Sequence, residues 1–231
     1  MMSFGLSRGK KLDVGTVGIE RDQLPPFDPE GGERLDPRQW FEHSERPFDL
    51  EIGAGKGTFL LQQSELEPET NFLGIEWTGE FFRYAADRVR RHQLRNVKLL
   101  WADATEFIRW WVPDGCVRTV HLYFSDPWPK SRHHKRRVVQ DATLAEFHRI
   151  LQHEGELRLV TDHDDLWTWY EEHVARHTAM FDRIPFERPA SAGEGEVVGT
   201  NFERKYRREG RPFHAMTLRR RDAGASSAAE A

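Results

Sequence analysis

The chain has 231 residues, of which 34 are lysine or arginine, 38 are aspartate or glutamate and 38% are hydrophobic, so its formal net charge is −4. These values allow one large domain or two small ones with a proper core, and they exclude a disordered, collagen-like or coiled-coil protein. No apolar run approaches the roughly 20 residues of a membrane helix, and Arg8, Lys10 and Lys11 interrupt any signal-peptide core. The only cysteine is Cys116, so we expect neither a disulfide nor a cysteine-based zinc site, and we expect a soluble, cytoplasmic protein.

Both ends of the chain lack the periodicity of packed elements. Residues 1–35 contain Pro25-Pro26 and Gly31-Gly32, which predict an irregular N-terminal arm. The small and polar residues 222–231 predict a flexible tail. We expect residues 36–221 to form a single domain.

Short apolar runs of strand length alternate with segments of helical spacing within this domain. The predicted strands are residues 48–52, 72–76, 97–101, 117–124 and 156–161. Thr78 is the expected cap of a helix that carries Phe82, Ala85 and Val89, and a second helix is expected to stop before Gly155. The alternating pattern of residues 212–218 predicts a further strand. Such alternation predicts an α/β protein with a mostly parallel sheet and helices on both faces.

Acidic residues stand at the ends of these predicted strands, where parallel sheets bind their ligands. They are Glu51, Glu76, Asp103, Asp126 and Asp162. The alternative for Glu76 and Asp103 is that they only cap the helices that begin near Thr78 and Ala104.

The glycine loop Gly53–Thr58 has three interpretations. A phosphate-binding loop would need a glycine at Leu50, and Glu51 would repel the phosphate. A dinucleotide fingerprint would need a third glycine at Thr58, which leaves an NAD-dependent oxidoreductase as a weakened alternative. S-adenosylmethionine has no phosphate and carries a cationic sulfonium, so Gly53 and Gly55 would let the backbone approach it and the nearby acidic residues would favour it.

The segment Asp126-Pro127-Trp128-Pro129 combines a carboxylate with an aromatic ring between two prolines that stiffen the backbone. It resembles the Asp-Pro-Pro-Tyr type of loop by which methyltransferases acting on amino groups of bases hold a planar target. Trp128 would offer a stacking surface; the alternative is a core tryptophan in a proline-rich turn.

A basic run, Lys130–Arg137, follows directly and holds five lysine or arginine residues, two histidines and no acid. A solvated helix face is the ordinary interpretation, but a run that opens from the expected catalytic loop is better explained by phosphate contacts. Adjacent His133 and His134 point apart and make a poor metal pair, so we expect no metal. Residues 200–211 are basic as well, so the acidic total hides basic stretches on which an RNA would dock.

Five segments resemble the TrmB family of bacterial tRNA (guanine-N7-)-methyltransferases. They are LEIGAGKGTFLL (50–61), FLGIEW (72–77), HLYFSDPWPKSRHHKRRVV (121–139), LRLVTDH (157–163) and GTNFERK (199–205). The resemblance implies a Rossmann-like class I methyltransferase with a mostly parallel seven-stranded sheet and S-adenosylmethionine as cofactor. It implies methylation of guanine N7 in the tRNA variable loop, at position 46, with tRNA as the partner and no obligate protein partner.

The resemblance also implies roles for single residues of this chain. Contacts to the methyl donor are implied for Glu51, Glu76, Asp103 and Asp126, and Asp126 is also the implied catalytic residue. Substrate contacts are implied for Lys130, Asp162, Thr200, Asn201, Phe202 and Glu203. We expect the basic run to contact RNA through Arg132, His133, Lys135 and Arg136.

The chain departs from the family pattern at two positions, Ser125, where proline is frequent, and Asn201, where lysine is frequent. We expect the first to leave the catalytic loop less rigid and the second to remove a phosphate contact. Three further alternatives stay open: another Rossmann-fold N-methyltransferase of an RNA base, an RNA-binding module without catalysis, and a base-C5 methyltransferase with Cys116 as nucleophile.

Overall fold

The computed structural model describes residues 11–26 and 34–222, and their regular elements alternate between strand and helix for most of the chain. The strands are β1 (Gly18–Glu20), β2 (Phe48–Ile52), β3 (Asn71–Glu76), β4 (Val97–Trp101), β5 (Val117–Tyr123), β6 (Leu151–Thr161), β7 (Phe181–Ile184) and β8 (His214–Arg220). The helices are α1 (Thr58–Leu66), α2 (Gly79–Arg91), α3 (Ala104–Trp110), α4 (Asp141–Ile150), α5 (Asp164–Ala175) and α6 (Asn201–Arg208). The tail 223–231 and residues 1–10 and 27–33 of the predicted arm lie outside the described residues.

The strands form one sheet in the order β1-β4-β3-β2-β5-β6-β8-β7. Pairs from β1 to β6 are parallel, whereas β8 pairs antiparallel with both β6 and β7. Every residue of β2 and β3 is buried, as expected for central strands that are covered on both faces. Because the chain runs outward from β2 to β4 and then returns to β5, the switch point of the sheet lies between β2 and β5.

Helices cover both faces of the sheet, as predicted. On α2, Phe82, Ala85 and Val89 are buried at the predicted spacing and pack with α1 on one side of the sheet. On the other side, α3, α4 and α5 share a second core with β2 and β5. The helix expected to stop before Gly155 ends at Ile150, and β6 begins at once.

The sheet has eight strands, so the prediction of seven was wrong by one. The additional strand is β1, in the segment predicted to be irregular, and it pairs parallel with the edge strand β4 from Gly18 to Glu20. The Leu99 amide also donates to the Val17 carbonyl at 3.0 Å. A three-residue strand is too short to display a hydrophobic period, and its formation depends on the partner edge about 80 residues away.

No helix within residues 11–26 and 34–222 is both long and apolar enough to cross a membrane.

Candidate active site

The loops that follow β2, β3, β4, β5 and β6 share the carboxyl edge of the sheet, because these strands are parallel. The loops after β2 and β5 flank the switch point, where the two crossover connections leave in opposite directions and open a crevice. All predicted strand-end carboxylates therefore belong to one edge of the molecule. This edge is the candidate site.

The glycine loop after β2 is anchored to β3. Gly53, Gly55 and Gly57 all have positive φ (78°, 53° and 67°), a backbone conformation that glycine adopts without strain. The Ile75 carbonyl accepts from the Gly53 amide at 2.8 Å. The Gly55 amide donates to Oε2 of Glu76 at 2.8 Å. A Cβ at Gly53 would meet nothing within 4 Å, so the glycine there serves the turn and leaves open space beside the backbone.

Two carboxylates lie beneath this loop. Glu76 is buried and also accepts from the Thr78 amide through Oε1 at 2.7 Å, so it ties the loops after β2 and β3 together. Glu51 is 5% exposed, and its Oε2 has no hydrogen-bond partner among the described residues. Burial, and then the charge of Glu76, raise the pKa of Glu51 well above its usual value. A buried acid without a partner, beside a second acid, fits a cationic ligand such as the sulfonium and ammonium groups of S-adenosylmethionine.

Asp103 fulfils the capping role that the sequence allowed as an alternative. Its Oδ1 accepts from the amides of Thr105 at 2.8 Å and Glu106 at 3.1 Å at the start of α3. Among the described residues no partner contacts Oδ2. The cap therefore leaves one oxygen of Asp103 free for a ligand.

Asp126 is exposed in the loop after β5 and has no hydrogen bond or ion pair to any residue within the described ranges. Trp128, two residues later, has a positive φ of 43°. Its ring is contacted by the guanidinium of Arg136, 4.9 Å from the ring centroid, and edge-on by His133 at 5.9 Å. The loop thus presents a free carboxylate next to an aromatic ring and a cation.

The basic run separates into two classes of side chain that its composition does not distinguish. Residues 131–136 form a 3-10 helix. Lys130, Arg132, Lys135 and Arg136 are exposed and His133 is half-buried. Arg137 is instead buried, with 1% of its side chain exposed, and pairs with Asp165. Four basic residues of this run, not five, face solvent.

The start of α6 meets both loops of the switch point. Thr200 caps the helix by accepting from the Glu203 amide at 3.0 Å. Asn201 donates from Nδ2 to Oγ1 of Thr58, the last residue of the glycine loop, at 3.1 Å. Phe202 is 42% exposed, and its ring centroid lies 5.3 Å from that of Phe124, the residue after β5. The structure therefore brings this distant segment to the same site.

Glu203 lies in the interior rather than at the surface expected of a substrate contact. The residue is completely buried, and its carboxylate accepts from the amides of Val197, Val198 and Gly199 and from Arg207. Burial acts to raise the pKa of Glu203, but these hydrogen bonds outweigh it and lower the pKa below its usual value. In this structure Glu203 holds the segment before α6 in place and presents no free oxygen to a substrate.

Asp162 is also engaged. Its side chain is 9% exposed and pairs with Arg211 at 2.7 Å. Of the three carboxylates Asp126, Asp162 and Glu203, only Asp126 lacks a partner among the residues described. Sequence reasoning missed Arg211, and it also missed Arg88, whose Nη1 donates to the Lys56 carbonyl at 2.6 Å and so supports the glycine loop from α2. Neither arginine carries a motif signal.

Cys116 cannot act as the nucleophile of a base-C5 methyltransferase in this structure. It is 5% exposed, and its thiol donates to the Pro113 carbonyl at 3.4 Å. Burial raises the pKa of Cys116 to about 12, so a thiolate does not form at neutral pH. Residues 11–26 and 34–222 also contain no group of three or more His, Cys, Asp or Glu side chains placed to hold a metal ion.

The strand order, the glycine loop with Leu50 and Thr58 where phosphate-binding patterns have glycine, and the acidic crevice define a Rossmann-like methyltransferase that uses S-adenosylmethionine. Residues 45–216 match the family described as "Putative methyltransferase". Among solved structures, the aminoglycoside resistance methyltransferase NpmB1 superposes with a TM-score of 0.56 at 18% identity, over 81% of this chain and 95% of that one. The predicted fold class and donor are confirmed, and an NAD-dependent oxidoreductase is not supported.

Two relatives define the family more closely. A tRNA (guanine-N(7)-)-methyltransferase of Agrobacterium fabrum is 34% identical over 94% of both chains. One from Nitrobacter hamburgensis is 33% identical over 94% of this chain and 86% of that one. The chain belongs to the tRNA (guanine-N(7)-)-methyltransferase family, as the sequence motifs predicted.

Proposed function

We propose that this enzyme transfers the methyl group of S-adenosylmethionine to N7 of a guanine in tRNA, at position 46 of the variable loop. The observation that carries the proposal is Asp126, an exposed carboxylate without a partner among the described residues, next to Trp128 and on the loop that faces the glycine loop across the switch point. The family membership supports tRNA and guanine N7, and the position within tRNA is an expectation from the sequence resemblance. The cytoplasm is the compartment we propose.

The residues of the crevice suit the donor by charge and shape. We propose that Gly53 and Gly55 allow S-adenosylmethionine to approach the backbone closely. Glu51 faces the positive charge of the donor, and Glu76 accepts hydrogen bonds from its ribose hydroxyls. The free oxygen of Asp103 is available to the adenine amine. When bound, S-adenosylmethionine supplies an electrophilic methyl group on a cationic sulfur.

Guanine N7 has a lone pair and no proton to lose, so the transfer needs no general base. The rate then depends on placing N7 in line with the methyl group and on excluding water. With N7 facing the donor, the opposite edge of guanine presents two N–H donors that one carboxylate can accept. We assign this role to Asp126, which orients the base and favours the cationic product without removing a proton.

The tRNA surface extends from this loop over the basic side chains that face solvent. We propose phosphate contacts by Lys130, Arg132, His133, Lys135 and Arg136. Position 46 of a folded tRNA must leave its tertiary contacts to react, and the half-buried ring of Trp128 and the exposed ring of Phe202 are placed to stack on it. Thr200 caps α6, and Asn201 holds this helix beside the glycine loop. Asp162 pairs with Arg211, which lies just after the carboxyl end of α6.

The decisive experiment incubates the full chain with unmodified tRNA transcript and labelled donor, followed by mapping of the methylated nucleotide. A matched transcript carries 7-deazaguanosine at position 46, in which a C–H group replaces N7 and its lone pair. We expect label in the first and none in the second. Label in the deaza transcript, or at another nucleotide, would contradict the assignment, and no label with any tRNA would favour an RNA-binding module without catalysis.

A further inference from the structure

The loop that carries Asp126 has a strained backbone. Phe124 and Trp128 have φ values of 55° and 43°, in the left-handed region that residues other than glycine rarely adopt. A loop with two such residues keeps its shape only where neighbouring groups hold it. The contacts that do so decide where Asp126 lies.

The first contact lies directly before Asp126. Ser125 Oγ and the hydroxyl of Tyr170 are 2.8 Å apart. Tyr170 is completely buried on α5, so it has no freedom to follow a moving loop. Ser125 stands where the family often has proline, and its hydroxyl makes a contact to α5 that a proline ring cannot make.

The second contact lies directly after Asp126. Arg137 donates from Nε to the Pro127 carbonyl at 2.9 Å, and its Nη2 pairs with Asp165 in the first turn of α5. Its guanidinium also lies 4.9 Å from the ring centroid of Trp169, again on α5. The hydrogen bond from Arg137 lowers the pKa of Asp165, so the pair remains charged at neutral pH.

We propose that Tyr170 and Arg137 are positioning residues for methyl transfer, which fix the backbone on both sides of Asp126 to α5. The proposal rests on the proposed function, because it is through Asp126 that they act. The two contacts bracket a single residue, and both lead to the same helix. The last arginine of the basic run thus orders the catalytic loop, whereas its exposed neighbours face RNA.

The test compares variants that loosen the loop with one that removes another ion-paired arginine elsewhere. Tyr170→Phe deletes one hydroxyl and keeps the ring, and Arg137→Gln deletes the charge and the Nε donor. Arg149→Gln is the matched control, because Arg149 is 19% exposed and pairs with Glu146 and Asp114, where α4 packs on α3. Ser125→Ala removes the same hydrogen bond to the Tyr170 hydroxyl by changing the half-buried loop residue instead of the buried tyrosine. It is the substitute for Tyr170→Phe should that variant fold poorly.

Two measurements are made on the full-length chain: steady-state methyl transfer to tRNA, and hydrogen–deuterium exchange of residues 124–130. We expect Tyr170→Phe, Ser125→Ala and Arg137→Gln to lower kcat by about fivefold or more while the KM for the donor stays within about twofold. We expect exchange in residues 124–130 to accelerate in the same variants. Arg149→Gln should lower the melting temperature without either effect.

Unchanged exchange and unchanged kcat in the loop variants would overturn the proposal. So would a fall in kcat in Arg149→Gln equal to that in Arg137→Gln, since general destabilisation would then explain both. A wild-type chain without activity on any tRNA would refute the proposed function instead, and exchange would still decide whether α5 holds the loop.

Discussion

Glu51 provides a direct test of how the crevice accommodates a cation. It is 5% exposed, one of its oxygens has no partner among the described residues, and burial and the charge of Glu76 raise its pKa. Replacing it by glutamine keeps the shape of the side chain and removes the charge. The substitution should therefore stabilise the protein without donor and weaken donor binding.

The sign of the pH dependence follows from the direction of the pKa shift. A carboxyl group whose pKa is raised by folding favours the folded state in its protonated form, fully below the usual value near 4.5. That contribution is lost as the pH rises through the raised pKa. Glutamine is neutral throughout, so the stability gained by Glu51→Gln should be larger at pH 7.5 than at pH 5.

The magnitude follows from the cost of an uncompensated buried group, about 1–3 kcal/mol. For a domain of this size each kcal/mol shifts the melting temperature by about 2–4 °C, so we expect a rise of about 2–12 °C at pH 7.5. Loss of a contact between opposite charges, about 1.5–3 kcal/mol, should weaken donor binding by about 10- to 150-fold.

The assay is thermal unfolding without donor at pH 5 and 7.5, together with calorimetric titration of S-adenosylmethionine. The control is Glu172→Gln, which removes a charge from an exposed position on α5. A lower melting temperature for Glu51→Gln than for wild type at pH 7.5, or unchanged donor affinity, would refute the reasoning.

Three further predictions concern the loop after β5 and the basic run. Asp126→Asn should lower kcat by about 10- to 100-fold, because one of two acceptors for the guanine edge is lost, and the wild-type pH–rate profile should not track a single carboxylate of raised pKa. Trp128→Ala should weaken tRNA binding by about 1–3 kcal/mol, the value of one stacked base, and leave donor affinity unchanged. Neutralising Arg132, Lys135 and Arg136 together should reduce the slope of log K against log salt for tRNA by about 2–3 and leave donor binding nearly intact.

Each of these has its own check. For the triple variant, the control neutralises Arg91, Arg95 and Arg176, which are exposed near the carboxyl ends of α2 and α5 and so lie at the opposite edge of the sheet. An equal change of slope in the control, or equal loss of donor and tRNA affinity in the triple variant, would make the basic run structural. Unaltered tRNA affinity and turnover in Trp128→Ala would exclude stacking. A wild-type pH–rate profile that follows one carboxylate, and that Asp126→Asn abolishes, would assign proton transfer to Asp126.

Local pattern was sufficient for the central architecture. The runs 48–52 and 97–101 are strands with the predicted bounds, since apolar residues stand at every second position of each, at 48, 50 and 52 and at 97, 99 and 101. The glycine loop and the strand-end carboxylates were placed correctly at one edge of the sheet, because parallel strands that alternate with helices must end there. These features depend on neighbours along the chain, so the sequence determined them by itself.

Tertiary structure decided which members of each motif face a ligand. Arg136 and Arg137 are adjacent and chemically identical, yet only Arg137 is buried. It pairs with Asp165, which lies 28 residues away along the chain and is brought next to it by the fold. Glu203 has the same carboxylate as Asp126, but three backbone amides enclose it. Burial and pairing of a charge depend on groups that are distant in sequence, and only the folded chain brings those groups together.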